Sequence, residues 1–183
     1  MGIALSTIGI KVSYAVETTA GTRPTTGYTH IPDLKSIPSI NPEPGTEDAT
    51  TFDNLEYTSY IETLKDLGGA LEISANFTQE LFDTWEEMVD AYDTAISTEK
   101  KTWFCFDIPN FDKAAFLPVT PSRMGIPEAE ANSLLETSVY ITPIGEPIFE
   151  TKPTYKEDTL SVQTTSATTA SAKTTTTTKN SLL

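Results

Sequence analysis

The acidic residues are the groups in this sequence best able to do chemistry, and they are concentrated in one stretch. Residues 43–93 hold fourteen carboxylates and a single base, Lys65, in a chain whose formal net charge is −14. The remainder is nearly balanced, with twelve acids against eleven bases. A surface with this charge repels polyanions. The composition therefore argues against a protein that binds nucleic acid by neutralising its phosphates.

Two carboxylates facing each other across a cleft, beside aromatic platforms, could hydrolyse a glycosidic bond. The acids here are instead spread along the predicted elements, which does not favour that reaction. Six of the fourteen belong to one predicted helix and form its solvated face: Glu80, Asp83, Glu86, Glu87, Asp90 and Asp93. The eight acids from Glu43 to Glu72 need another explanation, and a face wetted by an acidic aqueous space fits them better.

Other catalytic groups are scarce. A hydrolytic triad needs a histidine that is oriented by an acid and lies next to a nucleophile, and nothing in the sequence around His30 supports that arrangement, so we expect His30 to be a surface or interface residue. The single cysteine, Cys105, excludes an intramolecular disulfide and is predicted to be a small buried residue. Asp107 and Asp112 lack the spacing of an EF-hand, and no phosphate-binding loop is present. The sequence predicts a protein that is not an enzyme and binds no metal or cofactor.

The hydropathy pattern gives no sign of membrane insertion. No apolar run approaches the roughly 18 residues that a spanning helix needs. The first ten residues lack the basic start and apolar core of a secretory signal. We therefore expect the chain to be made in a cytoplasm and used without entering a membrane.

Alternating polarity predicts most of the chain to be strands. A strand is predicted at 10–16, an edge strand or arm at 28–40, and two further strands at about 49–62 and 70–77 joined by a hairpin-like connection. Glu56 and Glu62 have the same parity, so a regular strand would project both from one face.

One helix is predicted at about 78–96. Leu81, Trp85 and Met88 recur at helical spacing, and Thr78 or Asn76 can cap the first turn. Strands are predicted after it at 102–108, 113–122 and 134–143.

The chain divides into three parts by composition. The parts are an N-terminal extension (1–9), a β domain (10–158) and a Thr/Ser-rich C-terminal arm (159–183). Ten of the last 25 residues are threonine, so this arm cannot bury enough apolar surface to fold alone.

The order and phrasing of residues 10–150 resemble the major tail protein, or tail tube protein, of long-tailed (siphovirus-like) bacteriophages. The resemblance is carried by a strand ending in Tyr14–Glu17, a Gly/Pro/Thr loop, the segment 28–38, a Pro/Gly arm, Asp48–Asp53, Leu67–Glu72 and an acidic helix containing Trp85.

This resemblance implies a mainly β fold with one helix (α+β), a β-sandwich or partly rolled barrel. Six copies would form a ring with a shared β-barrel lumen, and stacked rings would form an acidic conduit for DNA ejection. The implied partners are the chain itself, a tape measure protein, tail terminator and distal tail proteins, and phage genomic DNA that passes without specific binding. The implied location is the virion tail, assembled in the bacterial host cytoplasm.

The resemblance also implies roles for particular residues. An arm reaching the adjacent ring would include Asn41, Pro42, Glu43, Pro44, Gly45, Glu47, Asp48 and Asp53. A second contact between rings would come from Ile3, Leu5 and Ile8 near the N-terminus. Strand parity proposes Glu56, Glu62 and Glu72 for the lumen. The Thr-rich arm departs from the minimal family pattern.

Two other readings of the sequence remain open. One is a carbohydrate-binding β-sandwich with a Thr-rich stalk, which requires secretion and an aromatic platform. The other is a different virion or tube component, such as a head decoration protein or the tube of a contractile apparatus.

Overall fold

The structure, a computed structural model, describes residues 5–53 and 56–156, so the expectations for Ile3 and for the arm at 159–183 lie outside the described residues. These ranges contain one helix and eleven strands. In chain order they are β1 (Lys11–Val16), β2 (Thr26–His30), β3 (Leu34–Ser36), β4 (Thr46–Asp48), β5 (Tyr60–Glu62), β6 (Leu71–Asn76), α1 (Gln79–Ile96), β7 (Thr102–Asp107), β8 (Lys113–Pro121), β9 (Glu136–Pro143), β10 (Ile148–Thr151) and β11 (Thr154–Tyr155).

Nine of the strands form one curled sheet with the order β11-β2-β1-β7-β8-β9-β6-β3, and β10 also pairs with β8. The nine-residue strand β8 pairs with two strands along one edge. β10 pairs with its first half, Lys113–Phe116, and β9 with its last residues, Val119–Pro121. On this edge, Pro118 lies between the two partners and has no N–H to donate, so the pairing is interrupted there, whereas the pairing of β8 with β7 on the other edge continues past Pro118. The two ends of β8 therefore belong to separate parts of the curled sheet.

The principal core lies between the sheet and α1. Leu71, Ile73 and Ala75 alternate with more exposed residues along β6, so the apolar side of that strand faces the helix. The helix buries Leu81, Trp85, Met88 and Val89, as its 3.6-residue spacing predicted. The Trp85 indole packs edge-on against Phe104 and donates a 2.8 Å hydrogen bond to the Ser122 carbonyl. This one side chain therefore joins the helix, the sheet and the start of the loop at 122–135.

A second apolar cluster covers the opposite face of β1, β7 and β8. Its buried members are Ala15, Tyr28, Cys105, Ala114 and Phe116. Arg23 lies over the Phe116 ring, 3.9 Å from its centroid, and pairs with Glu150 on β10. Tyr155 and Lys152 both contact Asp107, the former by a 2.7 Å hydrogen bond and the latter by a 2.6 Å ion pair. The C-terminal segment 148–156 thus packs over this cluster and covers it.

The helix and most of the predicted strands are confirmed. The Thr78 hydroxyl caps α1 by accepting from the Leu81 N–H, as one of the two capping alternatives predicted. β1, β6, β7, β8 and β9 lie within about two residues of their predicted positions. The proline-punctuated segment 28–40 contributes β2 and the short edge strand β3.

The strand predicted at 49–62 is wrong. Residues 46–48 and 60–62 instead form the two halves of a separate hairpin, β4 and β5, with a loop between them. Asp48 ends the first half, because its carboxylate accepts from the Thr50 N–H and hydroxyl. The predicted hairpin-like connection at 65–69 is also wrong, since β5 pairs with β4 and β6 pairs with β9 and β3.

Glu17 is a buried carboxylate that organises the end of β1. It is 3% exposed, and it accepts hydrogen bonds from the Trp103 indole (2.8 Å), the Gly21 N–H (2.8 Å) and the Lys101 N–H (3.2 Å). All three partners are donors, so an acceptor-only carboxylate satisfies them together.

We expect Glu17→Gln to lower the free energy of unfolding by about 1–3 kcal/mol, because the new amide N–H₂ points a donor at buried donors. Urea unfolding followed by tryptophan fluorescence measures this loss. Glu128→Gln, at an exposed glutamate with no ion pair in the described part of the chain, is the matched control. An equal midpoint for the two variants would contradict this role of Glu17.

Candidate functional site

His30, Cys105 and Asp107 each make contacts within the fold. The His30 ring lies against the sheet, with Nδ1 3.0 Å from the Val12 carbonyl. Cys105 is fully buried, and burial raises the pKa of its thiol to about 11. The thiol is therefore protonated at neutral pH and a poor nucleophile. Asp107 is held by Lys152 and Tyr155.

Residues 5–53 and 56–156 contain no candidate metal site and no helix suited to span a membrane. In these ranges no group of three or more His, Cys, Asp or Glu side chains is placed to hold a metal ion. Within the same ranges, no helix has the length and apolar character needed to cross a bilayer.

The most distinctive surface is the ribbon formed by residues 41–53 and 56–67, called the arm below. Its two sides are joined by β4 and β5, by reciprocal backbone hydrogen bonds between Glu43 and Asp66, and by a 2.7 Å bond from the Thr63 N–H to the Gly45 carbonyl. Every residue of β4 and β5 is exposed. The arm therefore has a defined backbone but no core of its own.

Large apolar side chains project from the arm into solvent. Phe52 is fully exposed, Leu64 is 92% exposed and Tyr57 is 81% exposed. Tyr60 and Ile61 are also more than half exposed. Monomeric soluble proteins rarely leave so many large apolar groups together in water, so a surface of this kind marks a contact with another molecule.

The arm is also strongly acidic, with seven carboxylates against one lysine. All the candidates for the inter-ring arm lie on it: Asn41, Pro42, Glu43, Pro44, Gly45, Glu47, Asp48 and Asp53. Glu56 and Glu62, proposed for the lumen by strand parity, lie on the arm as well. Glu56 is in an irregular segment and Glu62 is in β5, so the shared-strand argument for them fails.

Glu72 does lie on the main sheet. It is on the face of β6 that points away from the helix, where it accepts a hydrogen bond from the Ser138 hydroxyl of β9. Tyr140 and Glu136 share this open face by the register of the β6–β9 pair, and Glu136 pairs with Lys35. The loop 122–135 overhangs the face and forms a groove of about 790 Å³. Ile126 and Leu134 on that loop are exposed.

The N-terminal candidates Leu5 and Ile8 are both exposed, Ile8 at 84%. They precede β1 and lie near the turn at 108–112, since a Cβ on Gly9 would sit 3.3 Å from the Pro109 ring. The structure thus places this segment at one end of the sheet, beside the turn at 108–112.

Sequence reasoning missed an aromatic pair at the same end of the sheet. Phe111 and Phe149 stack edge-on with ring centroids 6.3 Å apart, and both remain exposed. Their separation of 38 positions left no periodic signal, and only the pairing of β10 with β8 brings them together.

The solvated face of α1 is partly neutralised. Arg123 contacts Asp93 at 2.7 Å, Asp90 at 2.9 Å and Glu86 at 3.8 Å. The hydrogen bonds that this guanidinium donates to Asp93 and Asp90 raise its pKa further. Since these side chains are exposed, the cluster fixes the start of the loop 122–135 more than it adds stability.

Comparison with known proteins supports the fold. No family model matches the sequence, and no curated protein matches it. Among solved structures, a chain from the tail of an empty GTA particle, refined helically with C6 symmetry, superposes with a TM-score of 0.52 at 11% identity, over 80% of this chain and 99% of that one. A chain from the six-fold symmetrised baseplate of the anti-feeding prophage gives a TM-score of 0.48 at 12% identity, over 82% and 98%.

The expected fold, mainly β with one helix, is confirmed by the structure and by the first of these similarities. The sheet is curled into a half-barrel, as in that tail chain. At this sequence identity, the similarity establishes the fold of the chain.

Proposed function

We propose that this chain is a structural subunit of a virion tail, assembling into six-membered rings that stack into a tube through which DNA passes. The observation that carries the proposal is the exposed arm, with its apolar and acidic side chains, on a domain that has the fold of a chain in a C6-symmetric tail. Assembly would take place in the cytoplasm of a bacterial host.

The arm supports assembly because it lacks internal stabilisation. A two-stranded ribbon alone is marginally stable in water. Docking on a neighbour would bury Phe52, Tyr57 and Leu64, at about 25 cal/mol for each Å² of apolar surface removed from water. A repeated contact between different surfaces of identical subunits produces an open stack, which is the geometry of a tube.

The main sheet supports ring formation. Within the described residues its terminal strands are β3 at one end and β11 at the other, and both are short. Joining sheets around a closed ring removes edges of this kind, which otherwise promote aggregation. A shared β-barrel lumen, with each subunit contributing part of its sheet, follows from that closure.

The proposed role is structural and not catalytic, and it requires no cofactor. His30 contacts a backbone carbonyl, Cys105 is buried and Glu17 accepts from three donors, so these side chains serve the fold. The partners would be other copies of the chain, a tape measure protein inside the tube, and terminator and distal tail proteins at its ends.

The open face of β6 and β9 is the part of the sheet we assign to the conduit. Glu72 is exposed there, and a carboxylate repeated around a lumen repels a passing duplex over about 8 Å at physiological salt. Glu56 and Glu62 would contribute their charge from the arm, between rings, and not from the wall.

We expect Glu72→Lys to leave assembly intact but to make the tubes retain duplex DNA, with retention falling as salt is raised. Co-sedimentation of tubes with a labelled duplex measures the retained DNA. Asp83→Lys makes the same change of charge on the helix, on the other side of the sheet, and should retain no DNA within the tube. Equal retention of DNA by both variants would contradict the assignment of Glu72 to the lumen.

Analytical ultracentrifugation of the purified protein tests the proposed function. Rising concentration should convert the monomer to a hexamer and then to a broad, faster-sedimenting population. A carbohydrate-binding module or a decoration protein would give no such series, and a monomer at all concentrations would overturn the proposal.

A further inference from the structure

An apolar cavity of about 250 Å³ opens at the base of the arm. Its lining is mainly apolar and comes from three places: the segment before the arm, the strands β7 and β8, and the start of β10. The principal lining residues are Ile40, Pro42, Phe106, Leu117, Pro147 and Phe149. An apolar cavity of about 150 Å³ is enough to bind benzene, so this cavity has room for one aromatic ring.

The surface around the mouth of the cavity carries a further aromatic side chain, Phe111, and a positive charge, Lys113. Phe111 stacks on Phe149 outside the cavity. Lys113 is two residues before Ala115, which lines the cavity, so both side chains project from the same face of β8. Lys113 is exposed and has no ion pair in the part of the chain that the structure describes. Glu146 lines the cavity and Asp112 lies beside Lys113, so the mouth is of mixed charge.

The tip of the arm matches this surface in chemistry. Phe52 is fully exposed, and Asp53 follows it directly. An aromatic ring with an adjacent carboxylate fits an apolar cavity with an adjacent lysine. Insertion would bury the ring and give Lys113 an acidic partner.

The arm of the same chain cannot reach this cavity. Pro42 lines the cavity, and the bridge between Glu43 and Asp66 closes the ribbon immediately beyond it. A strand rises about 3.4 Å per residue, so the tip lies roughly 30 Å from the base while the two sides stay paired. Only the arm of another copy is therefore able to insert Phe52.

We propose that this cavity, which Phe149 lines and which lies on the same face of β8 as Lys113, receives Phe52 from the arm of a second copy of the chain. The inference rests on the proposed assembly and deepens it, because it assigns the surface that accepts the arm. Each copy offers one arm tip and one cavity on different parts of its surface, so the contact is heterologous and repeats along a stack.

Disulfide trapping between two variants tests the contact. Phe52→Cys and Phe149→Cys are purified separately, mixed at a concentration that permits assembly, and oxidised gently; the native Cys105 is buried and does not compete. We expect a covalent dimer in the mixture and little in either variant alone. Leu134→Cys, at an exposed residue of the loop 122–135, replaces Phe149→Cys as the control and should give no dimer with Phe52→Cys.

A charge exchange provides a second readout that does not depend on cysteines. Lys113→Glu and Asp53→Lys should each raise the concentration needed for stacking by about tenfold, since each places like charges together. The double variant should recover most of that loss. Rings that stack normally with Lys113→Glu, or equal trapping by the control, would overturn the assigned surface and leave the proposed function standing. A wild-type protein that forms no rings would overturn the proposed function itself.

Discussion

Removal of the arm is expected to abolish tube formation while the domain remains folded. Replacing residues 44–65 with a short Gly-Ser linker removes β4 and β5 and leaves Glu43 and Asp66, which are already paired, as the junction. The residues of β4 and β5 are exposed and contribute nothing to the two buried clusters. The unfolding midpoint should therefore change little, while electron micrographs should show free rings or monomers in place of tubes.

Substitution of Gly45 tests whether stacking requires the paired shape of the arm, because the arm itself remains in the chain. A Cβ on Gly45 would overlap Thr63 Oγ1 and lie 2.7 Å from the Leu64 carbonyl oxygen. Gly45→Ala should therefore push the two sides of the ribbon apart and weaken stacking severalfold. Gly125→Ala is the matched control, because a Cβ there meets nothing within 4 Å. Tubes of normal length from the Gly45 variant would contradict a requirement for a paired ribbon.

Trp85→Ala is expected to produce the largest loss of stability, about 3–5 kcal/mol. The indole is 1% exposed, packs on Phe104 and donates to the Ser122 carbonyl. Its removal leaves a large cavity and breaks the hydrogen bond to the Ser122 carbonyl. Thermal or urea unfolding measures the loss.

Two further variants divide this effect into its parts. Trp85→Phe keeps most of the packing but loses the hydrogen bond, so we expect it to lower the free energy of unfolding by about 1–2 kcal/mol. Ile96→Ala, at a half-exposed position on the same helix, should cost much less than Trp85→Ala. If Trp85→Ala were no worse than Ile96→Ala, the helix would not be held to the sheet as described.

The elements predicted correctly from the sequence were those in which the pattern of polar and apolar residues matches the pattern of buried and exposed side chains in the structure. α1 carries a complete apolar stripe and a capping threonine, and β7 is an almost continuous apolar run, as a strand covered on both faces should be. Both could therefore be located without knowledge of their partners.

The arm could not be located correctly because its alternation resembles that of a half-buried strand. Tyr57, Ile61 and their neighbours alternate with polar residues, yet all are exposed in this chain. What decides the structure is pairing between 46–48 and 60–62, a contact between distant residues that a local pattern does not record. If the arm docks on another copy, its apolar residues are patterned for that neighbour and not for the domain.

The C-terminal strands were missed for a related reason. β10 and β11 are four and two residues long, and they follow Pro147 and Pro153. Their positions are fixed by side chains far away in sequence: Glu150 pairs with Arg23, and Tyr155 with Asp107. The cavity beside Phe149 has the same origin, so the sequence alone gave no indication of it.

Helical reconstruction of the purified full-length protein by cryo-electron microscopy is the most direct test of the proposed assembly. The account predicts stacked six-fold rings in which the arm of each subunit crosses to the next ring and Glu72 faces the central channel. A particle without six-fold rings, or a tube in which the arm folds back on its own subunit, would contradict it.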